Sequence, residues 1–165
     1  MSPEGRAAEK VAALALAGVA VVAACARAGP GAPAGTAQPL ETLLAEPYSG
    51  LAEARREVVR DEAGWVRLWA EIHAGVTPKP PLPEVDFTSH MLIVVAIGTR
   101  SSGGYGVKVL SATVRGDELL VSVVETCPAR GARVVASLTQ PVAVVRLPRL
   151  AQAPRFEVTR SAECR

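Results

Sequence analysis

The side chains equipped for chemistry are few and far apart. Beyond residue 25, Cys127, Cys164, His73 and His90 are the only soft or borderline metal ligands, and none is paired at the short spacing of a zinc site. No metal and no cofactor are expected. Gly98 and Gly103 stand at the separation of a phosphate loop, but Gly104 and Tyr105 fill the places of its Lys and Ser/Thr, so the phosphate-binding charge is missing. A Gly-x-Ser-x-Gly nucleophile elbow is absent, and neither histidine has a base-catalysis partner that sequence identifies; both fit surface positions near element ends. Glu84 and Asp86 are spaced for acid–base work, yet Asp86 better suits a turn delivering Phe87 and Met91 to the core. No constellation names a reaction, so function is sought in binding.

The 165 residues leave room for one domain of about 110 to 120 residues. Hydrophobic residues are 49% and charged residues 21%, a globular balance that the N-terminal alanine and valine run inflates. A net charge of +2, from arginines scattered along the chain, is too small for a nucleic-acid footprint. The chain has no asparagine and little lysine, which a compositionally biased genome explains at least as well as heat does.

Residues 1–24 have the grammar of an export signal: a weakly positive start, then Val11 to Ala24 with no polar side chain. That apolar run is shorter than the roughly 20 residues a membrane-spanning helix needs. It ends in Val22-Ala23-Ala24-Cys25, which resembles the bacterial lipobox. Small side chains fit a peptidase cleft, and the Cys25 thiol is the nucleophile that accepts the diacylglyceryl group. An ordinary cleaved signal and an uncleaved anchor are the alternatives. Lipid on Cys25 would hold the chain in a bacterial cell envelope, facing outside the cytoplasm. The residue directly after that cysteine is Ala26, not the aspartate that resembles an inner-membrane retention signal, which favours the outer membrane in a two-membrane host. From residue 25 to about 40 the composition of Gly, Pro and Ala marks a tether. Roughly fourteen extended residues reach up to about 40 Å.

The folded domain is expected over residues 41–160, with 161–165 as a tail. Residues 40–54 are ambiguous, with Leu40-Glu41-Thr42-Leu43-Leu44 either a short helical turn or part of the tether. Arg56–Arg60 has the look of a short, charged edge strand. Asp61 is an N-cap, and Trp65, Leu68, Trp69 and Ile72 form one helical stripe facing a core, ended by Gly75 and Pro78. Pro78–Pro83 is an extended connector. Met91–Ile97 is apolar on both alternating faces, as in a central buried strand. With Val107–Val114 across Gly98–Gly106 it predicts a hairpin, to which the later strands add. A phase slip at Leu110-Ser111 predicts a bulge. Arg115-Gly116-Asp117 is a tight turn before Leu119–Val124. Further strands are expected over Arg133–Leu138, Val142–Leu147 and Phe156–Val158. The fold class is α+β, mainly β, with one N-terminal helix on a largely antiparallel curled sheet, sandwich or open barrel.

Trp65 and Trp69, the run Leu82-Pro83-Glu84-Val85-Asp86-Phe87, Ser102-Gly103-Gly104-Tyr105 after a hydrophobic strand, and Pro141 with Val145-Arg146-Leu147-Pro148 together resemble the PrcB C-terminal domain family over roughly residues 50–150. Ser102 stands where that resemblance leads one to expect threonine. The family is named for a lipoprotein subunit of a bacterial surface protease complex. The resemblance therefore implies an accessory, protein-binding role without catalytic activity of its own. The glycine loop is either a connector needing Gly for its geometry or a partner-binding loop of Arg100, Ser102, Gly103, Gly104 and Tyr105, because aromatic and arginine anchors beside bare backbone suit protein interfaces. A peptidase inhibitor that inserts the Gly-Gly loop, or a small-ligand carrier, are the other readings. In an exported domain Cys127 and Cys164 are either bridged or free thiols.

Overall fold

Strand β4 (His90–Ile97) has no side chain from Met91 onward that is more than 3% exposed, so both of its faces must be covered. The structure, a computed structural model, describes residues 35–164 and shows how. The expected signal segment, Cys25, most of the tether and Arg165 lie outside those residues. Four strands, β2 (Glu41–Glu46), β7 (Val142–Pro148), β4 and β3 (Ala54–Val59), pair in that order, all antiparallel. A second sheet has the order β1 (Thr36–Gln38), β5 (Gly106–Arg115), β6 (Glu118–Thr126) and β8 (Ala153–Arg160). Its β6–β8 pair is parallel and the others antiparallel.

The alternation of β4 distributes its side chains between two cores. Met91, Ile93, Val95 and Ile97 meet Val107, Ala112, Leu119, Val121 and Val123 of the second sheet. Leu92, Val94 and Ala96 meet Trp65, Leu68, Trp69 and Ile72 of helix α1 (Glu62–Ile72) on the opposite face. The order of layers is thus helix, sheet, sheet. It matches the α+β, mainly β expectation, as a sandwich and not a closed barrel. Asp61 accepts a hydrogen bond from the Gly64 amide, which satisfies one of the donors a helix start leaves open. Both indoles are deeply buried and donate to carbonyls of the proline connector, Trp65 to Pro83 and Trp69 to Pro80. The expected bulge lies between Val109 and Ser111, and the turn at Arg115–Asp117 has Gly116 at φ +58°.

Three expectations fail. The glycine loop does not join a hairpin, because both edges of β4 are already taken by β3 and β7, leaving none for β5; the loop carries the chain from one sheet to the other. Arg133–Leu138 forms no strand. Its branched residues suit a pleated surface, but the segment finds no sheet edge and stays exposed throughout. The folded part begins before residue 41, since Thr36–Gln38 pair with Val114–Ala112, and residues 41–46 are strand β2, neither helical turn nor tether.

The turn entering β4 is held by Asp86. Its carboxylate accepts from the Ser89 hydroxyl at 2.6 Å, the Thr88 hydroxyl at 2.6 Å and the Thr88 amide at 2.9 Å. These donors lower its pKa from the ordinary 3.8 to about 2, the Ser89 hydroxyl contributing most. A folded-state value below the unfolded one means stabilisation that is complete above about pH 4 and lost as pH falls toward about 2. Asp86→Ala should therefore flatten that part of the acid limb of a urea-midpoint-against-pH curve. An unchanged acid limb would show that the turn does not depend on this carboxylate.

Candidate functional site

Strand direction gathers two of the sheet-crossing connections at one end of the sandwich, whereas the β7–β8 crossing lies at the other. Ala96 pairs with Val142, Ile97 with Ala54, Gly106 with Thr126 and Arg160 with Glu125. The glycine loop, the connection 127–141 between β6 and β7, the connection 47–53 and the end of β8 therefore converge there. The two longer loops are tied together by a short polar seam. Arg100 and Thr139 exchange backbone hydrogen bonds at 2.8 and 3.0 Å, the Gly103 amide donates to Val135 at 2.9 Å, and the Thr139 hydroxyl donates to the Ser102 carbonyl at 2.8 Å. Thr139 is 1% exposed, and its hydroxyl is satisfied within this seam.

The loop residues singled out from the sequence take different parts. Gly104 has φ +85°, and a Cβ added to it would lie 2.8 Å from Cβ of Pro128 and 3.1 Å from Cγ1 of Val134. Glycine is required at 104 by backbone conformation and by the close approach of the second loop. Gly103 is under no such demand, since the nearest atom to an added Cβ there is 3.5 Å away. Ser102 serves the seam through its carbonyl. Tyr105 is half-buried against the inter-sheet core, with the Arg100 guanidinium 5.8 Å from its ring centroid, within cation–π range. The second loop is exposed from Ala129 to Leu138. Of the eight large hydrophobic side chains exposed among the described residues, Val134, Val135 and Leu138 lie on this loop and Tyr48 on the connection 47–53.

Beside the loops is a cleft of about 240 Å³, lined by Arg100, Tyr105, Glu125, Arg160 and both cysteines of a Cys127–Cys164 disulfide. The bridge joins the end of β6 to the short 3₁₀ turn Ala162–Cys164. Spanning 37 residues, a bridge of this size contributes about 2–4 kcal/mol by restricting the unfolded chain. Glu125 continues the inward phase of Leu119, Val121 and Val123 on β6 and is 7% exposed. A carboxylate there needs partners. Arg56 from β3 reaches one oxygen at 3.4 Å and Arg160 Nε the other at 3.3 Å, so one acid links the two sheets. Sequence reasoning missed Glu125, Arg160 and Thr139. The alternation Leu119-x-Val121-x-Val123-x-Glu125 was the available signal for Glu125; Thr139 and Arg160 carried none. Neither histidine lines the cleft: His73 stacks on Trp69 at the end of α1, where the Gly50 amide of connection 47–53 donates to the Ile72 carbonyl, and His90 contacts Ser89 at the Asp86 turn, at the opposite end of β4.

These features define a small two-sheet domain that presents paired loops at one end. Residues 91–148, from β4 through both loops to β7, match the family model described as PrcB C-terminal. This bears out the resemblance over that stretch; the Ser102–Tyr105 and Pro141–Pro148 motifs lie within it, whereas Trp65, Trp69 and residues 82–87 precede it. Neither a curated protein nor a solved structure matches the chain.

Gly104→Ala should lower stability by about 1–3 kcal/mol in urea denaturation, while Gly103→Ala changes it by less than about 0.5 kcal/mol. Equal midpoints for the two variants would remove the conformational role assigned to Gly104.

Proposed function

We propose that this protein is an envelope lipoprotein whose sandwich domain is a non-catalytic protein-binding module, acting as an accessory subunit of a secreted or surface protease. The observation that carries this reading is the clustering of Tyr48, Val134, Val135 and Leu138 on exposed connections beside Arg100 and Tyr105. Isolated exposed aliphatic residues need no explanation, but several on converging loops of a rigid sandwich suit a partner surface. The two longer loops fall within the segment that matches the PrcB C-terminal family, whose name supports association with a protease complex. The seam gives the surface a defined shape, which lessens the ordering cost on binding. Direct inhibition by the Gly-Gly backbone is less well supported, because the Gly103 amide is already bonded to Val135.

The anchor belongs to the same reading: Cys25 would be lipidated after removal of residues 1–24, with the residues that follow holding the domain away from the bilayer. Wild-type protein should partition into the detergent phase of native envelope and Cys25→Ser into the aqueous phase. Equal partitioning would overturn the lipid anchor.

The partner is tested by capture from detergent-solubilised native envelope with tagged mature protein beside folded Val135→Asp and Leu138→Asp variants. A protease subunit retained by wild type and reduced roughly tenfold by the variants is expected, the loss typical of an interface anchor. Equal retention by the variants, or no specific retention at all, would overturn the loop surface as the interface.

A further inference from the structure

The cleft beside the loops has a chemistry that the aliphatic loop surface does not use. Its charged lining side chains among the described residues are Arg100, Arg160 and Glu125, two cations against one buried anion. The anion is already occupied, accepting from Arg56 on one oxygen and from Arg160 Nε on the other. Arg160 is thereby held at the cleft by its Nε, which leaves its terminal amino groups for another acceptor. Arg100 takes part in no ion pair among the described residues, and its guanidinium lies over the Tyr105 ring, which restricts the side chain without occupying its donors. Two guanidinium groups with donors to spare thus border one recess, whose walls are the Tyr105 ring and the disulfide.

We infer that this cleft is a carboxylate-binding site that takes one acidic residue or one free C-terminus of a partner polypeptide. Planar guanidinium donors match the two oxygens of a carboxylate and give charge-assisted hydrogen bonds. Size narrows the ligand further. At about 240 Å³ the recess falls below the roughly 300–1,000 Å³ of pockets that enclose drug-sized molecules, and a single amino-acid residue suits it. The assignment rests on the protein-binding reading only for the source of the carboxylate, since the recess and its charges exist whatever covers the aliphatic loops. The partner would present a carboxylate next to an apolar patch.

The test is an NMR titration of the oxidised, ¹⁵N-labelled mature domain with three peptides. N-acetyl-Ala-Ala carries a terminal carboxylate, N-acetyl-Ala-Glu-Ala-amide carries one on a side chain, and N-acetyl-Ala-Ala-amide carries none. At least one carboxylate peptide should give saturable shifts centred on Tyr105, Thr126 and Cys127, with Kd on the order of millimolar for so few contacts. The neutral amide should give none. Whichever carboxylate peptide binds identifies the source. Arg100→Gln and Arg160→Gln, each shown to be folded by its spectrum, should raise Kd about tenfold or more. Absence of saturable shifts, equal shifts from the neutral amide, or unchanged Kd in both variants would overturn the site. If the envelope capture succeeds while this titration fails, the carboxylate site falls and the loop interface stands; the reverse pair of results leaves the site without the loops.

Discussion

Burial of β4 on both faces is the constraint on which the remaining architecture depends. A fully buried aliphatic side chain contributes about 1.5–3 kcal/mol, so neither row of β4 can be left to water. One row is covered by the second sheet and the other by α1 with its paired tryptophans. The same strand is flanked by β3 and β7, so its backbone donors and acceptors are engaged on both edges. A strand in that position cannot turn back on itself. The chain must leave β4 by crossing to the other sheet, and that crossing is the glycine loop.

The loop end follows from this crossing. The chain crosses again at 127–141, and the paired registers bring both crossings to the same end of the sandwich. Two irregular segments side by side expose backbone groups that no ladder satisfies. The Arg100–Thr139 exchange, the Gly103–Val135 bond and the Thr139 hydroxyl satisfy part of them without forming a sheet. The outcome is a surface that is irregular yet positioned, with aliphatic side chains facing outward because the core is already filled from the strands.

At the same end Glu125 occupies a position that the alternation of β6 assigns to the interior. Buried ion pairs are weak evidence for stability, since desolvation offsets much of the attraction. What this one does is geometric: it links β3 of one sheet to β6 and β8 of the other and holds Arg160 at the rim of a cleft. The Cys127–Cys164 bridge closes the same corner covalently. An ionic link and a covalent link therefore fix the edge on which the carboxylate site is assigned.

Local features were legible in the sequence because their causes are local. The double-faced burial of Met91–Ile97, the α1 stripe, the Asp61 cap, the Asp86 turn, the slip at Leu110-Ser111 and the Arg115–Asp117 turn each follow from the chemistry of neighbouring residues. The motif from Ser102 to Tyr105 likewise marked the stretch that matches the PrcB C-terminal family. Pairing was not legible. Alternation shows that a strand buries one face but does not name its partner, so the sequence suggested a hairpin where the fold has a crossing, and a strand at Arg133–Leu138 where no edge is free. Thr36–Gln38 are too few to show a period beside a Gly-Pro-Ala stretch. Thr139, Glu125 and Arg160 acquire meaning only when loops and strand ends from distant parts of the chain meet. The sequence thus determined which segments must be buried and where the chain must turn, because these depend on side-chain type and short-range spacing. The tertiary structure alone decided which strands share a sheet, and hence which residues form the site, because that depends on which edges remain free once the others are paired.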